Sequence, residues 1–315
     1  MGMLKKPAAM RPGQTVGLVA PSFALPKPEL LPKAVDALEA LGYRVKVGGC
    51  CLSRHGYFAG DDVARAGEIN QMFRDDSVDA ILCVRGGYGA TRILPLLDYN
   101  AIRANPKVFS GYSDVTALHS ALLTNAGLVT FHGLMAVSDF SHEANDTFSL
   151  DTFWQVAGGT QEGLCLQNPP AYPTHAIVDG SARGPLIGGN LSLVASCIGT
   201  PYAYEFDGAI LFLEEVSERT YAVDRMLTQL ANAGVFHRVA GVVLGEFTSC
   251  DPRKNMADDF VMDQVLAEVF AHCDAPVLSG LRCGHVTPKL SLPFGVECEM
   301  DTKTGTIRLL ENAVV

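Results

Sequence analysis

Residues 106–126 read PKVFSGYSDVTALHSALLTNA, and the change of rhythm inside them decides how the chain is read. Up to Tyr112 the run has the β-branched and aromatic character of a strand, and from Asp114 it has the character of a helix. Between the two stands Gly111-Tyr112-Ser113-Asp114. The same alternation surrounds it. TVGLVA (15–20), YRVKV (43–47), VDAILCV (78–84) and LVTFHG (128–133) are the other strand candidates of the first half. Leu31, Ala34, Val35, Leu38 and Leu41 line one helical face between them, and Val63, Ala66, Ile69, Met72 and Phe73 line another. A repeating β-α order predicts an α/β fold with a doubly wound, mostly parallel sheet.

The alternation weakens between about 140 and 180, where SHEANDTFSLD, AGGTQEG and QNPPAYPTHA supply the glycine, proline and polar clusters of connecting segments. The expected division is a first domain at 1–145, a crossover at 146–180 and a second domain at 181–315. That second domain resumes with GPLIGGNLSLVASCIG, strands AILFLEE and GVVLGEF, and helical patterns at 222–233 and 258–272. Two alternating segments around Thr302-Lys303-Thr304-Gly305 read as a β-hairpin, so a smaller, mixed α/β domain is expected.

At 315 residues, two domains or one large α/β unit is the prior, and 48% hydrophobic with 18% charged residues is an ordinary globular composition. No apolar run approaches the length needed to span a bilayer, which predicts a soluble protein. The N-terminal stretch lacks the apolar core of a secretory signal, and Pro7 argues against myristoylation. Nine cysteines without a C-x-x-C read as reduced thiols, which favours the cytoplasm. A net charge of −10 gives no footprint for nucleic acid.

Ser113 follows a strand, has a glycine two residues before it and precedes a helix, which is the setting of a nucleophile elbow. The match to G-x-S-x-G is incomplete because Val115 takes the second glycine's place. Serine and aspartate are also preferred helix caps, and read alone the stretch favours a cap. A nucleophilic serine needs a base and a group that orients the base. Glu214 and Glu215 end the strand AILFLEE, although for either one alone solvation of a strand end or a helix N-terminus is the simpler reading. His285 stands in the Gly- and Pro-rich loop of APVLSGLRCGHVTPKLSLPFG, where scaffold-borne functional groups concentrate. His119, inside the helix after the elbow, reads as a packing or a solvated residue, and His132 at a strand end is the second candidate base.

CVRGGYGATRIL (83–94) is a strand, a glycine loop and a helix. Arg92 stands where a dinucleotide fingerprint has its third glycine, and no P-loop lysine follows. The loop suits an oxyanion hole instead, an amide of Gly86 or Gly87 joining that of Asp114, though a tight turn explains it equally. No H-E-x-x-H, paired C-x-x-C or close Asp/His cluster suggests a metal. Arg85, Arg183 and Arg225 are candidates for binding substrate carboxylates, each also compatible with a structural ion pair.

Five blocks together, RGGYGATRILPLLDY, FSGYSDVTALHSAL, GGNLSLVASCIGTPY, LFLEEVSERTYAVDRML and GHVTPKLSLPFG, resemble the LD-carboxypeptidase (muramoyltetrapeptide carboxypeptidase) family in sequence and order. The resemblance implies a serine peptidase with a Ser113–Glu214–His285 triad, the serine on an N-terminal Rossmann-like sheet and the other two on the C-terminal domain. LEEV stands where the family pattern is LEDV, so Glu214 aligns as catalytic and Glu215 is held in reserve. It further implies a homodimer without metal or organic cofactor, acting in the cytoplasm on cell-wall peptides. The typical reaction removes the terminal D-alanine of a muropeptide tetrapeptide during peptidoglycan recycling. Two rivals stand beside it: a microcin-immunity-like hydrolase of aminoacyl nucleotides on the same fold, and a non-catalytic Rossmann-like protein whose Gly86–Gly89 loop holds an anion.

Overall fold

A computed structural model describes residues 4–141, 146–159, 162–252 and 260–315. The helical pattern expected at 258–272 falls partly outside them. Two compact units are formed, one from Met1–Gln161, Ser291–Gly295 and Asn312–Val315, the other from Glu162–Leu290 and Val296–Glu311.

The first unit carries β1 (Thr15–Val19), α1 (Leu30–Ala40), β2 (Arg44–Val47), α2 (Asp62–Arg74), β3 (Ala80–Cys83), α3 (Ala90–Ile93), α4 (Tyr99–Ala104), β4 (Val108–Gly111), α5 (Thr116–Ala121), β5 (Thr130–His132), α6 (Ala136–Phe140) and α7 (Thr147–Gly158). The second carries β6 (Cys165–Leu166), β7 (His175–Val178), β8 (Ser181–Asn190), α8 (Leu191–Cys197), β9 (Ile210–Val216), α9 (Thr220–Asn232), α10 (Val235–Arg238), β10 (Gly241–Thr248), α11 (Met262–Phe270) and β11 (Val277–Ser279). After β11 the chain adds β12 (Leu292–Phe294) to the first unit and returns as β13 (Glu297–Asp301) and β14 (Thr306–Leu309) in the second.

The first sheet has the order β12-β5-β4-β3-β1-β2. All its neighbours are parallel except β12, which runs antiparallel to β5 with Leu292 opposite His132. From β1 the chain moves outward to β2, and from β3 it winds the other way to β4 and β5. The winding therefore reverses between β1 and β3, the position where open α/β sheets build their sites. β3 and β4 are buried at every residue, as strands covered on both faces must be. On α1, Leu31, Ala34 and Leu38 are buried, and on α2, Ala66, Ile69, Met72 and Phe73. Val63 departs from its expected core position and is 73% exposed. It lies in the first turn of α2, beside the cap formed by Asp61 accepting from the Ala64 amide, where the chain must face water.

The second sheet has the order β6-β14-β13-β8-β9-β10-β11-β7. Strands β8, β9, β10 and β11 are mutually parallel, and antiparallel strands flank them on both sides, so the sheet is mixed as expected. The hairpin turns at Thr302–Gly305 with Gly305 left-handed (φ 66°). Residues 146–180, read as a crossover, contain α7, β6 and β7. α7 buries Thr152, Phe153, Val156 and Ala157 and stacks Trp154 on Tyr43. Asp146 caps it through the Ser149 amide, a cap that the surrounding polar residues disguise as loop.

Candidate active site

Ser113 sits two residues beyond the end of β4, after Tyr112, with φ 65°, a left-handed backbone that a non-glycine residue adopts at an expense of roughly 1–2 kcal/mol. One tight turn, Ser113–Val115, leads directly into α5. Two glycines make this turn sterically feasible. A Cβ on Gly111 would lie 2.9 Å from both γ-carbons of Val115, and one on Gly86 would lie 2.7 Å from Ser113 Cβ and 2.9 Å from Ser113 Oγ. Val115, which stands at the second glycine's position of G-x-S-x-G, is buried with both branches against the α-carbon of Gly111. The same Gly86 Cβ would lie 3.5 Å from the Asp114 amide nitrogen, so the two amides expected to form an oxyanion hole belong to adjoining backbone segments.

The capping reading of the elbow fails on geometry. No side-chain hydrogen bond caps the Ser113 turn or α5. The Asp114 carboxylate reaches away from its own helix and accepts from Ser22 Oγ (2.6 Å) and from the Ala90 amide (2.8 Å). It thereby ties the loop after β1 and the glycine loop after β3 to the elbow. Burial pushes the Asp114 carboxyl upward in pKa, against these hydrogen bonds. From the other side, His119 Nε2 lies 2.8 Å from the Gly111 carbonyl oxygen. That oxygen only accepts, so Nε2 carries the proton, and burial pushes the imidazole pKa down to about 4. His119 is thus a neutral strut inside the fold, in line with its packing role. His132 is also buried, in a cluster with Tyr112, His119 and Phe294.

In the second unit β8, β9 and β10 bring their carboxyl ends together, with Asn190 in register with Glu214. Successive side chains of a strand face opposite ways, so Glu214 and Glu215 part company. Glu214 Oε2 lies 2.8 Å from His285 Nδ1, and the glutamate is fully buried. Two glycines open the space for it: a Cβ on Gly284 (φ 89°) would lie 2.6 Å from the Glu214 Cδ and Oε2 atoms, and one on Gly245 would lie 2.9 Å from Glu214 Cβ. Gly245 falls where the β9–β10 register shifts, so the irregularity makes room for the carboxylate. Glu215 accepts instead from Asn190 Nδ2 (2.8 Å), the Ser192 amide (2.9 Å) and Ser192 Oγ (2.6 Å), which anchors the start of α8. Of the two glutamates, only Glu214 meets the histidine.

The loop that carries His285 has an organiser the sequence did not flag. Arg282 donates from Nε to the Pro288 carbonyl (3.0 Å) and from Nη2 to that of Thr287 (2.7 Å), and its guanidinium lies 3.9 Å from the centre of the Tyr172 ring. The Leu290 amide closes the loop onto the Arg282 carbonyl (2.7 Å). One arginine therefore staples both ends of the histidine loop. Its signal was available only as a cation beside a Gly-rich segment. Arg65, fully buried, similarly clamps the glycine loop: it donates to the carbonyls of Pro21, Gly60 and Gly89 and pairs with Asp62. Among the carboxylate-binding candidates, Arg183 pairs with Glu297 at 3.9 Å and Arg225 covers the Tyr221 ring, whereas Arg85 donates to two backbone carbonyls, lies over the Phe23 ring and has no carboxylate partner among the described residues. All nine cysteines are thiols. Among the described residues, no helix is long and apolar enough to cross a membrane.

A serine on a strained strand-to-helix turn in one α/β unit, and a histidine held by a buried carboxylate in another, are the groups of acyl-transfer hydrolases. The chain belongs to the LD-carboxypeptidase family: residues 16–133 match the family's N-terminal domain and residues 183–300 its C-terminal domain. It is therefore a peptidase. It is 39% identical over 301 residues to a probable murein peptide carboxypeptidase of Bacillus subtilis, covering 96% of this chain and 93% of that one. The crystal structure of muramoyltetrapeptide carboxypeptidase from Oxalobacter formigenes superposes with a TM-score of 0.82 at 31% identity, over 94% of this chain and 98% of that one. The microcin C7 self-immunity protein MccF of Escherichia coli is 28% identical over 98% of this chain and 96% of its own. The structure of MccF in complex with glutamyl sulfamoyl guanosine has a TM-score of 0.90, over 98% of this chain and 99% of that one.

Proposed function

We propose that the protein is a serine carboxypeptidase that removes the terminal D-alanine from muropeptide tetrapeptides, cutting at an L,D bond. The observation that carries the serine mechanism is the Ser113 backbone at φ 65° against Gly86, strain that a mere cap would not require. The substrate class is carried over from the murein peptide carboxypeptidase that shares 39% of its residues with this chain.

In this mechanism Ser113, Glu214 and His285 act as one triad. Glu214 holds His285 through Nδ1 and stabilises the imidazolium. His285 Nε2 takes the proton of Ser113 Oγ as the oxygen attacks the carbonyl carbon of the penultimate residue. The amides of Asp114 and Gly86 hold the resulting oxyanion. His285 then gives the proton to the D-alanine nitrogen, the C–N bond breaks, and an ester remains on Ser113. A water, deprotonated by His285, cleaves the ester and restores the serine.

The same reading places the enzyme in the bacterial cytoplasm as a homodimer that recycles cell-wall peptides, in agreement with its nine reduced thiols. Sedimentation of the purified protein tests the dimer. The decisive assay incubates wild type and Ser113→Ala with a muramyl tetrapeptide, and in parallel with an aminoacyl sulfamoyl adenosine, and follows both by mass spectrometry. D-Alanine release that falls on the order of a million-fold in the variant is expected. No release from any tetrapeptide by the wild type refutes the reading, and cleavage of the nucleotide alone replaces it with the immunity-type reaction.

A further inference from the structure

We infer that Arg85 is the residue that recognises the free carboxylate of the departing amino acid, and so makes the enzyme a carboxypeptidase rather than an endopeptidase. The inference rests on the proposed function and names a specificity determinant within it.

Three observations converge on this arginine. First, position: Arg85 stands between β3 and the glycine loop, and its partners Phe23 and Ala24 follow β1, so it occupies the point where the winding of the first sheet reverses. It is also the neighbour of Gly86, whose α-carbon packs against Ser113. Second, charge: the guanidinium is partly buried, and its Nε and Nη1 donate to the carbonyls of Gly86 (3.1 Å) and Ala24 (3.1 Å). Nη2 is not used in either bond. Arg65 and Arg92, which serve the same glycine loop and its aromatic neighbour Phe58, both pair with the Asp62 carboxylate, which offsets one of their two charges. Arg85 has no carboxylate partner among the described residues, and the nearby Asp114 carboxylate is already engaged by Ser22 and Ala90. A guanidinium stays charged even where burial disfavours it, so the loop presents an uncompensated cation. Third, reach: the terminal carboxylate lies within about one residue length, ~3.8 Å, of the scissile carbonyl. An anion receptor for it must therefore border the nucleophile, as Arg85 does through Gly86.

Backbone carbonyls at Nε and Nη1 fix the plane of the guanidinium before substrate arrives, which reduces the ordering that binding has to impose. Phe23, 5.8 Å from the guanidinium to the ring centre, and Tyr57, edge-on to Phe23 at 5.4 Å, add apolar surface that keeps water from competing for the same donors.

The test measures kcat/KM for a tetrapeptide ending in D-alanine and for the same peptide ending in D-alaninamide, with wild type, Arg85→Met and Arg85→Lys. The wild type is expected to prefer the acid by about 100-fold, the scale of a desolvated charge pair. Arg85→Met is expected to bring the acid-to-amide ratio close to 1. Arg85→Lys, which keeps the charge but loses the planar fork, should retain a preference of roughly 10-fold. The ratio is internal to each variant, so a general loss of folded protein cancels, and Arg85→Lys supplies the answer if Arg85→Met does not fold. An acid-to-amide ratio in either variant equal to that of the wild type, or a wild type indifferent to the amide, overturns the role of Arg85 and leaves the muropeptide reaction standing. A wild type that cleaves neither peptide overturns both.

Discussion

Replacing Gly284 by alanine tests the Glu214–His285 pair without touching either residue. The new Cβ would lie 2.6 Å from both the Cδ and the Oε2 of Glu214, against the ~3.5 Å or more of ordinary contact, so the carboxylate has to retreat by about 1 Å. Oε2 is the atom that meets His285 Nδ1 at 2.8 Å, and a retreat of that size breaks the bond. A misplacement of about 1 Å among catalytic groups can lower the rate about 100-fold. Gly284 also has φ 89°, so any alanine there carries backbone strain of roughly 1–3 kcal/mol in addition. Gly280 separates the two effects. Its φ is 85°, and a Cβ there would meet nothing closer than 3.6 Å, at the Pro173 carbonyl oxygen. Gly280→Ala therefore shares the strain and lacks the collision. Both variants should melt several degrees below wild type, while only Gly284→Ala should lose the proposed D-alanine release by about 100-fold or more in kcat/KM. Full activity in a folded Gly284→Ala, or equal losses in the two variants, would refute the role of the buried carboxylate.

The two glutamates should separate in the same assays. Glu214→Gln keeps the shape and removes the charge that, in the proposed mechanism, stabilises the imidazolium, so activity should fall on the order of 10⁴-fold with little change in melting temperature. Glu215→Ala leaves Asn190 and both donors of Ser192 without their acceptor, so stability should fall by about 3 kcal/mol in urea titrations while the folded fraction still turns over substrate. His119 makes a prediction about pH. Its folded pKa of about 4 lies below the ~6.5 of the unfolded chain, so protons favour unfolding. Its contribution is complete above pH 6.5, shrinks as pH falls toward 4 and is lost below, amounting to about 3 kcal/mol in all. Urea unfolding of wild type and His119→Gln across that window should converge by this amount, and parallel curves would contradict it.

The β-α alternation and its short buried runs led to a doubly wound parallel sheet because hydrophobic periodicity is a local property, set by which faces of each element meet the core. The same reasoning placed Ser113 at a strand-to-helix junction and Glu214 and His285 at ends of apolar strands. Local periodicity has no access to β12, which joins the first sheet although it follows β11 in sequence, because strand pairing depends on contacts made after the chain has folded back. It also left α7 hidden in a polar stretch. The choice between adjacent glutamates was likewise beyond it. Residues 214 and 215 are chemically alike, and the family pattern favoured the first, but only the pleat of β9 sends one toward His285 and the other toward Ser192. The glycines carry the same lesson. In sequence, Gly86, Gly111, Gly245 and Gly284 are indistinguishable from turn glycines. In the fold each removes a β-carbon from beside Ser113, Val115 or Glu214, and that need exists only once distant segments are brought into contact.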